Sequence, residues 1–146
     1  MALRGIYPAW PVRSSPAPEW DDLRRALGYA RAVADRVDLA SMIPMGRLAS
    51  SGFCLADPGR EYLVLVPFPG GRLRRLAALV QHSAAGSVQV DLSAARGPLD
   101  LEWIDVERGQ IFPGAPVSGG RPLELRAPFV GDGILHLRAP RRGAGS

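Results

Sequence analysis

The chain has 146 residues, a length that suits one domain, or one domain with an appendage. Apolar residues make up 47% of it, enough for a hydrophobic core, but no run of about 18 apolar residues exists to cross a membrane. The net charge is +4, yet all 18 basic residues are arginines spread along the chain, so we interpret them as solvated surface rather than as a nucleic-acid site.

Other features of the composition bear on fold and compartment. Glycine (17 residues) and proline (14) are frequent, which favours many turns and short strands over long helices. The single cysteine excludes an internal disulfide framework, and the first residues lack the continuous apolar region of a signal peptide. The arginines cluster only at Arg72, Arg74 and Arg75 and in the pair Arg141-Arg142. We therefore expect a soluble chain whose compartment the sequence does not identify.

The first part of the chain, residues 1–45, is predicted to be an irregular arm followed by one amphipathic helix. Residues 1–17 are rich in proline and serine, and we expect them to pack their aromatic residues, Tyr7 and Trp10, on another surface. Apolar residues then recur at three- and four-residue spacing, which predicts a helix from Pro18 to Val37 that ends near Asp38. This apolar stripe consists of Trp20, Leu23, Leu27, Ala30, Ala34 and Val37.

Residues 46–140 are predicted to form an antiparallel β-sandwich, so the fold class is mainly β. The first extended segments are Leu48 to Leu55 and Glu61 to Val66, and the second is apolar on both faces, which predicts cover on both sides. Four further strands alternate apolar and polar residues: Val88 to Leu92, Leu99 to Trp103, Leu123 to Leu125, and Leu135 to Leu137. Residues 68–86 break this rhythm and are interpreted as an insertion, and 141–146 as a flexible tail.

A tight turn is predicted at Asp57-Pro58-Gly59, between two apolar runs. Proline suits the second position of such a turn, and glycine suits the third, where φ is positive. The run after the turn contains Glu61 beside Tyr62, and the run before it contains Cys54. The stretch therefore predicts a structural unit, either a β-hairpin or a sharp corner between strands.

The residues that could carry chemistry are few. Five carboxylates are candidates for the acid pair of a glycosidase: Glu61, Asp91, Asp100, Glu102 and Asp105. Asp100 and Glu102 share one polar strand face, which is the usual appearance of a solvated sheet. A Cys-His nucleophile pair remains an alternative, although Cys54 lies in an apolar stretch and His136 should face solvent. With His82 as the other histidine, no spacing typical of a metal site is present, and we expect neither metal nor cofactor.

The aromatic residues of the strands are better candidates for packing than for a ligand platform. Trp103 shares its face with Leu99 and Leu101, which indicates a place in the core. Tyr62, Phe112 and Phe129 are also expected to pack, but they stay the candidates for contact with a ligand or an interface. Of the three, Tyr62 is the weakest candidate for packing alone, because its hydroxyl needs a hydrogen-bond partner when it is buried.

One stretch resembles a known family signature. Phe53-Cys-Leu-Ala-Asp-Pro-Gly-Arg-Glu-Tyr-Leu-Val-Leu-Val-Pro67 is similar to the pattern Y-C-L-A-N-P-G-x-E-Y-L-V-Y-L-P. That pattern opens a C-terminal β-sandwich described as the collagen-binding domain of a collagenase, which commonly follows an apiosidase-like (β/α)8 glycoside-hydrolase barrel. Val88-Gln-Val-Asp-Leu-Ser93 and Leu101-Glu-Trp-Ile-Asp-Val-Glu-Arg-Gly109 resemble later motifs of the same domain. Phe53, Asp57, Leu65 and Val106 depart from the pattern, as does the lengthened connection 68–86.

The resemblance implies a role and a partner. The helix around Leu27 to Arg31 resembles the last helix of the barrel. If it corresponds to that helix, the catalytic carboxylates lie upstream of this chain. A complete barrel needs about 250 residues, so the chain is expected to be no enzyme by itself. We expect a non-catalytic accessory module that packs on a barrel or binds an extracellular, polysaccharide or collagen-like ligand. The alternative is the inactive C-terminal fragment of a glycoside hydrolase, which could also self-associate through helix 18–37.

Overall fold

A computed structural model describes residues 28–68 and 86–140 of the chain. Several sequence predictions lie outside these residues: the arm 1–17, the first half of the helix, most of the insertion 68–86, the arginine clusters, His82 and the tail 141–146. Within the described part, no helix is long and apolar enough to cross a membrane.

The described chain folds into two antiparallel sheets, which confirms the predicted mainly β fold of the sandwich type. The strands are β1 (Ile43–Pro44), β2 (Cys54–Asp57), β3 (Glu61–Val66), β4 (Ser87–Asp91), β5 (Pro98–Asp105), β6 (Ile111–Ser118), β7 (Pro122–Arg126) and β8 (Gly133–Arg138). The large sheet has six strands in the order β1-β2-β3-β8-β5-β6, and the small sheet pairs β4 with β7. A short 3-10 helix, Gly46–Leu48, follows β1. Residues 28–36 form an α-helix, here called α1.

The hydrophobic core lies between the two sheets. Alternate residues of β3 and β8 face inward, among them Val64, Leu135 and Leu137, and each of these has no exposed surface. The small sheet contributes Val88 and Val90 from β4, which are buried to a similar degree. This period-two pattern of burial follows from the alternation of side chains across a pleated strand, so the sequence pattern was sufficient to predict these strands.

The structure corrects the prediction that β3 is covered on both faces. Tyr62, Val64 and Val66 are buried against the core, but Leu65 on the outer face is 40% exposed and Leu63 is half-buried. An apolar strand face is stabilised when another part of the chain packs on it. The sequence of the strand alone does not determine whether such a part is present.

Two strand boundaries also differ from the prediction. The segment Leu48 to Leu55 is not one strand, because residues 46–48 form the 3-10 helix and β2 begins only at Cys54. Strand β6 was missed, because it contains Pro113, Gly114 and Pro116. Proline is tolerated in a sheet at an edge, and β6 is the last strand of the large sheet.

Helix α1 lies across the outer face of the large sheet. The ring of Tyr29 packs against Gly109, in the turn after β5, where the glycine leaves no room for a side chain. Val33 and Val37, one helical turn apart, are buried, whereas Ala30 of the predicted stripe is exposed. The helix ends at residue 36, as the sequence predicts, and its end lies beside β3, since the backbone N–H of Asp38 contacts Glu61.

Candidate functional site

The outer face of the large sheet holds a polar cluster beneath helix α1. Glu61 on β3, His136 on β8 and Glu102 on β5 all point to this face, because His136 pairs with Leu63 on one side and with Glu102 on the other. Glu61 and His136 are buried, with 7% and 6% of their side chains accessible. Polar groups buried to this degree are stable only when they are hydrogen-bonded, so their contacts define the site.

The imidazole of His136 lies between two carboxylates. Its Nε2 is 2.7 Å from Oε1 of Glu61, and its Nδ1 is 3.5 Å from Oε2 of Glu102. The other oxygen of Glu61 accepts the backbone N–H of Asp38 at 3.3 Å. The Arg138 Nε lies 4.0 Å from Glu61. These contacts join three strands of the sheet to Asp38, two residues after the end of α1.

Arg36, in the last turn of α1, completes the cluster. Its Nη2 donates to both carboxylate oxygens of Glu102, at 2.7 and 2.8 Å. Burial raises the pKa of Glu102, but the hydrogen bonds and positive charge of Arg36, with a smaller effect from His136, outweigh it and hold that pKa below its ordinary value. A general acid requires the opposite shift, so Glu102 is suited to holding the helix rather than to donating a proton.

The lowered pKa of Glu102 predicts how stability changes in acid. A carboxylate whose folded pKa lies below its unfolded pKa contributes stability that is fully present above the unfolded value and is lost as pH falls through the folded value. We expect the free energy of unfolding to decline as pH drops below about 4.5, the ordinary value for Glu, and Glu102→Gln to remove part of this slope. Urea unfolding of both proteins between pH 3 and 7 measures it; identical slopes would contradict the prediction.

The remaining chemical candidates do not meet at this cluster. Cys54 is buried on the inner face of the large sheet, opposite Val64, whereas His136 points to the outer face, so the two cannot form a nucleophile pair. Burial raises the pKa of Cys54 to about 11. The prediction that His136 faces solvent was wrong, because α1 covers the face to which it points. No group of three or more metal-ligating side chains occurs within 28–68 and 86–140.

The other carboxylates have structural partners. Asp105 is buried, and its Oδ1 accepts the backbone N–H groups of both Glu107 and Arg108 in the turn after β5. The side chain and backbone N–H of Ser93 lower the pKa of Asp91. Asp100 is exposed, in the same row of the sheet as Arg138. An open cavity of about 520 Å³ lies between Asp100, Glu102 and the end of α1.

The aromatic candidates are mostly packed. Tyr62 has no exposed surface, so a ligand outside the fold cannot touch its ring. Trp103 is 3% exposed and meets Phe129 edge to face at 6.4 Å, and Phe129 lies 5.2 Å from Phe112. Phe112 is half-buried on edge strand β6, beside a shallow cavity of about 380 Å³. Of the three candidates for a ligand or interface, only Phe112 and Phe129 keep exposed surface.

The turn predicted at Asp57-Pro58-Gly59 is present. Gly59 has φ +87°, and the backbone N–H of Arg60 donates to the carbonyl of Asp57 at 2.9 Å. The N–H of Gly59 donates to the hydroxyl of Tyr62 at 2.8 Å, which gives the buried tyrosine its partner. Burial raises the pKa of Tyr62, and the hydrogen bond from Gly59 opposes that shift.

This hydrogen bond allows a conservative test of the turn. Tyr62→Phe should lower the free energy of unfolding by about 1–3 kcal/mol, because the N–H of Gly59 loses its partner. Tyr29→Phe, which removes the same hydroxyl from a half-buried ring, should cost about 0.5 kcal/mol or less. Urea unfolding measures both variants, and equal losses would argue against a special role of the Tyr62 hydroxyl.

No family model matches the sequence, and no curated protein matches it at a significant level. A solved structure described as a glycoside hydrolase overlays with a TM-score of 0.59 at 10% identity, covering 95% of this chain and 30% of that one. A glycoside hydrolase family 5 protein from Bacteroides vulgatus ATCC 8482 overlays with a TM-score of 0.58 at 12% identity, covering 86% and 26%.

This fold occurs within glycoside hydrolase chains. The present chain spans less than a third of each of the two chains it overlays. At identities of 10% and 12%, the likeness establishes the shared fold and leaves activity and ligands open.

The sequence reasoning missed the cluster because its members looked unrelated. Glu61 was singled out as part of the turn motif, Glu102 as a solvated acid and His136 as a solvated histidine. The alternation of Leu135 and Leu137 does assign His136 to the outer face, but it does not indicate that a helix covers that face. The available signal was Arg36, a cation in the last turn of the predicted helix, where a positive charge is favourable and can also contact an acidic side chain of the surface on which the helix packs.

Proposed function

We propose that this chain is a non-catalytic accessory β-sandwich module of a glycoside-hydrolase-like protein, which packs on a catalytic barrel beside helix α1. The observation that carries the proposal is the overlay of nearly the whole chain, 95%, on only 30% of a glycoside hydrolase chain. The polar cluster fits this role, because its contacts hold a helix against a sheet.

The carboxylates support a non-catalytic role. A glycosidase needs two carboxyl groups across the scissile bond, one of them an acid with a raised pKa. Asp100 and Glu102 line the same open cavity, but Arg36 holds Glu102 ionised. Glu61 has 7% of its side chain accessible and lies 2.7 Å from Nε2 of His136.

Hydrolysis assays test the absence of activity. The purified chain should release no more product from aryl glycosides and polysaccharides than a heat-denatured sample does. Turnover above that level, abolished by Asp100→Asn or Glu102→Gln, would overturn the proposal and identify the cavity as an active site. Turnover that survives both substitutions would point to a contaminating enzyme, which a second purification route removes.

The alternative is that the chain is the C-terminal part of a glycoside hydrolase whose barrel is encoded upstream. The small share of each glycoside hydrolase that the chain covers, 26% to 30%, favours this reading equally. The coding DNA upstream of Met1 distinguishes the two. An in-frame barrel there supports the alternative, and a stop codon followed by an independent promoter supports a separate module.

The partners of the module are likewise proposals. Without a barrel, we propose that helix 18–37 mediates self-association, which sedimentation velocity over a range of concentrations measures. A monomer at every concentration would count against it. A polysaccharide or collagen-like ligand is the other proposed partner, and co-sedimentation with insoluble glycans and with collagen tests it. Phe112→Ala is the informative variant there, because Phe112 lies beside a surface cavity.

A further inference from the structure

One corner of the outer sheet face is apolar and uncovered. We call it the apolar corner: Phe53, Leu55, Leu63, Leu65 and Ile134, with Pro44 at its rim. These residues surround a depression of about 430 Å³. Phe53 is 58% exposed and Leu65 40% exposed, which is unusual for neighbouring large apolar side chains.

Helix α1 leaves this corner open because it crosses the sheet diagonally. Its first residues lie at the turn after β5, where Tyr29 meets Gly109, and its end lies beside Glu61 at the opposite end of β3. Leu65, Ile134 and Ile104 form one row across the sheet, near the end where α1 begins. The carbonyl of Phe53 accepts the N–H of Leu65, which places Phe53 in the same row.

The chain that precedes α1 therefore arrives at the end of the sheet that carries the apolar corner. It contributes 27 residues, and the stretch Ile6-Tyr7-Pro8-Ala9-Trp10-Pro11 contains three large apolar side chains without a charge. Prolines lack the N–H that an added strand would donate, so such a segment packs through its side chains rather than by extending a sheet. Tyrosine and tryptophan carry large apolar surfaces suited to a shallow depression.

The distance is within reach of this segment. Gly109 precedes β6, which is three strands away from β3, or roughly 14 Å at the usual spacing between strands. Residues 18–27, if helical as the sequence predicts, would carry the chain about 15 Å from the first turn of α1. Together these two distances put the corner up to about 29 Å from Pro18. The eight residue steps from Pro18 to Trp10 span roughly 26–29 Å when extended, so the indole of Trp10 reaches the corner when this part of the arm is fully extended.

We propose that the N-terminal arm, residues 1–17, docks on the apolar corner through Tyr7 and Trp10, as a strap over the open part of the sheet. The proposal does not depend on the proposed function, since it concerns two parts of the same chain. It gives the arm the surface that its aromatic residues need, and it covers the outer face of β3 around Leu65, which is 40% exposed.

A double-mutant cycle on the full chain tests this docking. Trp10→Ala and Phe53→Ala should each lower the melting temperature by roughly 4 °C, and the double variant should fall little further than either single variant. Groups in contact show such non-additivity, whereas distant groups do not. The matched control is Leu39→Ala, because Leu39 is 43% exposed and follows Asp38, which contacts Glu61 at the opposite end of β3. Its effect should add to that of Trp10→Ala.

The other outcomes either overturn the proposal or assign the apolar corner to a different occupant. Additive effects of Trp10→Ala and Phe53→Ala, or no effect of Trp10→Ala, would overturn the proposal. A Phe53→Ala effect that grows with protein concentration would instead assign the corner to a second copy of the chain. In a chain lacking residues 1–17, Phe53→Ala should lose its effect. If that chain does not fold, the cycle of point variants still decides.

Discussion

Glu61→Ala should lower the free energy of unfolding by about 1–3 kcal/mol, the usual cost of leaving a buried polar group without its hydrogen-bond partner. The carboxylate of Glu61 is 7% accessible and lies 2.7 Å from His136 Nε2. Its removal leaves the imidazole buried with Glu102 as its remaining acidic neighbour, at 3.5 Å, and takes away the acceptor of the Asp38 N–H. Urea unfolding at pH 7 measures the loss.

The matched control for this prediction is Glu124→Ala. Glu124 also faces a basic side chain, Arg126 at 3.8 Å, but 62% of its side chain is accessible. An exposed pair contributes about 0–1 kcal/mol, so this variant should unfold almost as the parent does. A loss as large as that of Glu61→Ala would show that the effect comes from net charge rather than from the buried pair. Glu61→Gln, which keeps an acceptor oxygen, should lose less than Glu61→Ala.

Gly59→Ala is the second substitution with a large expected effect, a loss of about 2–4 kcal/mol in the free energy of unfolding. Gly59 has φ +87°, a conformation that costs a residue with a Cβ roughly 1–2 kcal/mol. The added Cβ would also lie 2.8 Å from the backbone carbonyl oxygen of Ala94, a contact that only movement of the backbone relieves. The turn and the β4–β5 connection would have to separate, which disturbs the sandwich.

Gly52→Ala separates the two contributions to this loss. Gly52 has φ +79°, close to that of Gly59, but its added Cβ would meet nothing within 4 Å. Its loss should therefore be the conformational part alone, about 1–2 kcal/mol. If Gly52→Ala and Gly59→Ala unfold at the same urea concentration, the close approach of the turn to Ala94 does not contribute to the loss in the free energy of unfolding.

The fold was predictable from sequence wherever one strand face is core and the other is polar. Strands β4, β7 and β8 show this alternation, and the structure places them as the pattern predicts. The turn at Pro58-Gly59 was equally predictable, because its backbone angles need those two residue types. Strand β6 was not, since its prolines and glycine interrupt the pattern and an edge position tolerates them.

The candidate site was predictable only in part. Glu61 drew attention through its motif, but its contact with His136 joins residues 75 positions apart in the sequence. Such a pair depends on which strands become neighbours and on what covers them, and neither is encoded in the local period of the chain. Arg36 and Glu102, 66 positions apart, depend in the same way on the path of α1 across the sheet.

The prolines of β6 have a consequence for the behaviour of the protein at high concentration. An open sheet edge offers unpaired N–H and C=O groups on which a second chain can build, and this is a common route to aggregation. Among the described strands, β6 forms such an edge, and Pro113 and Pro116 remove two of its donors. A strand arriving from another molecule would find an interrupted ladder there, so the β6 edge of the large sheet is protected against polymerisation by its own sequence.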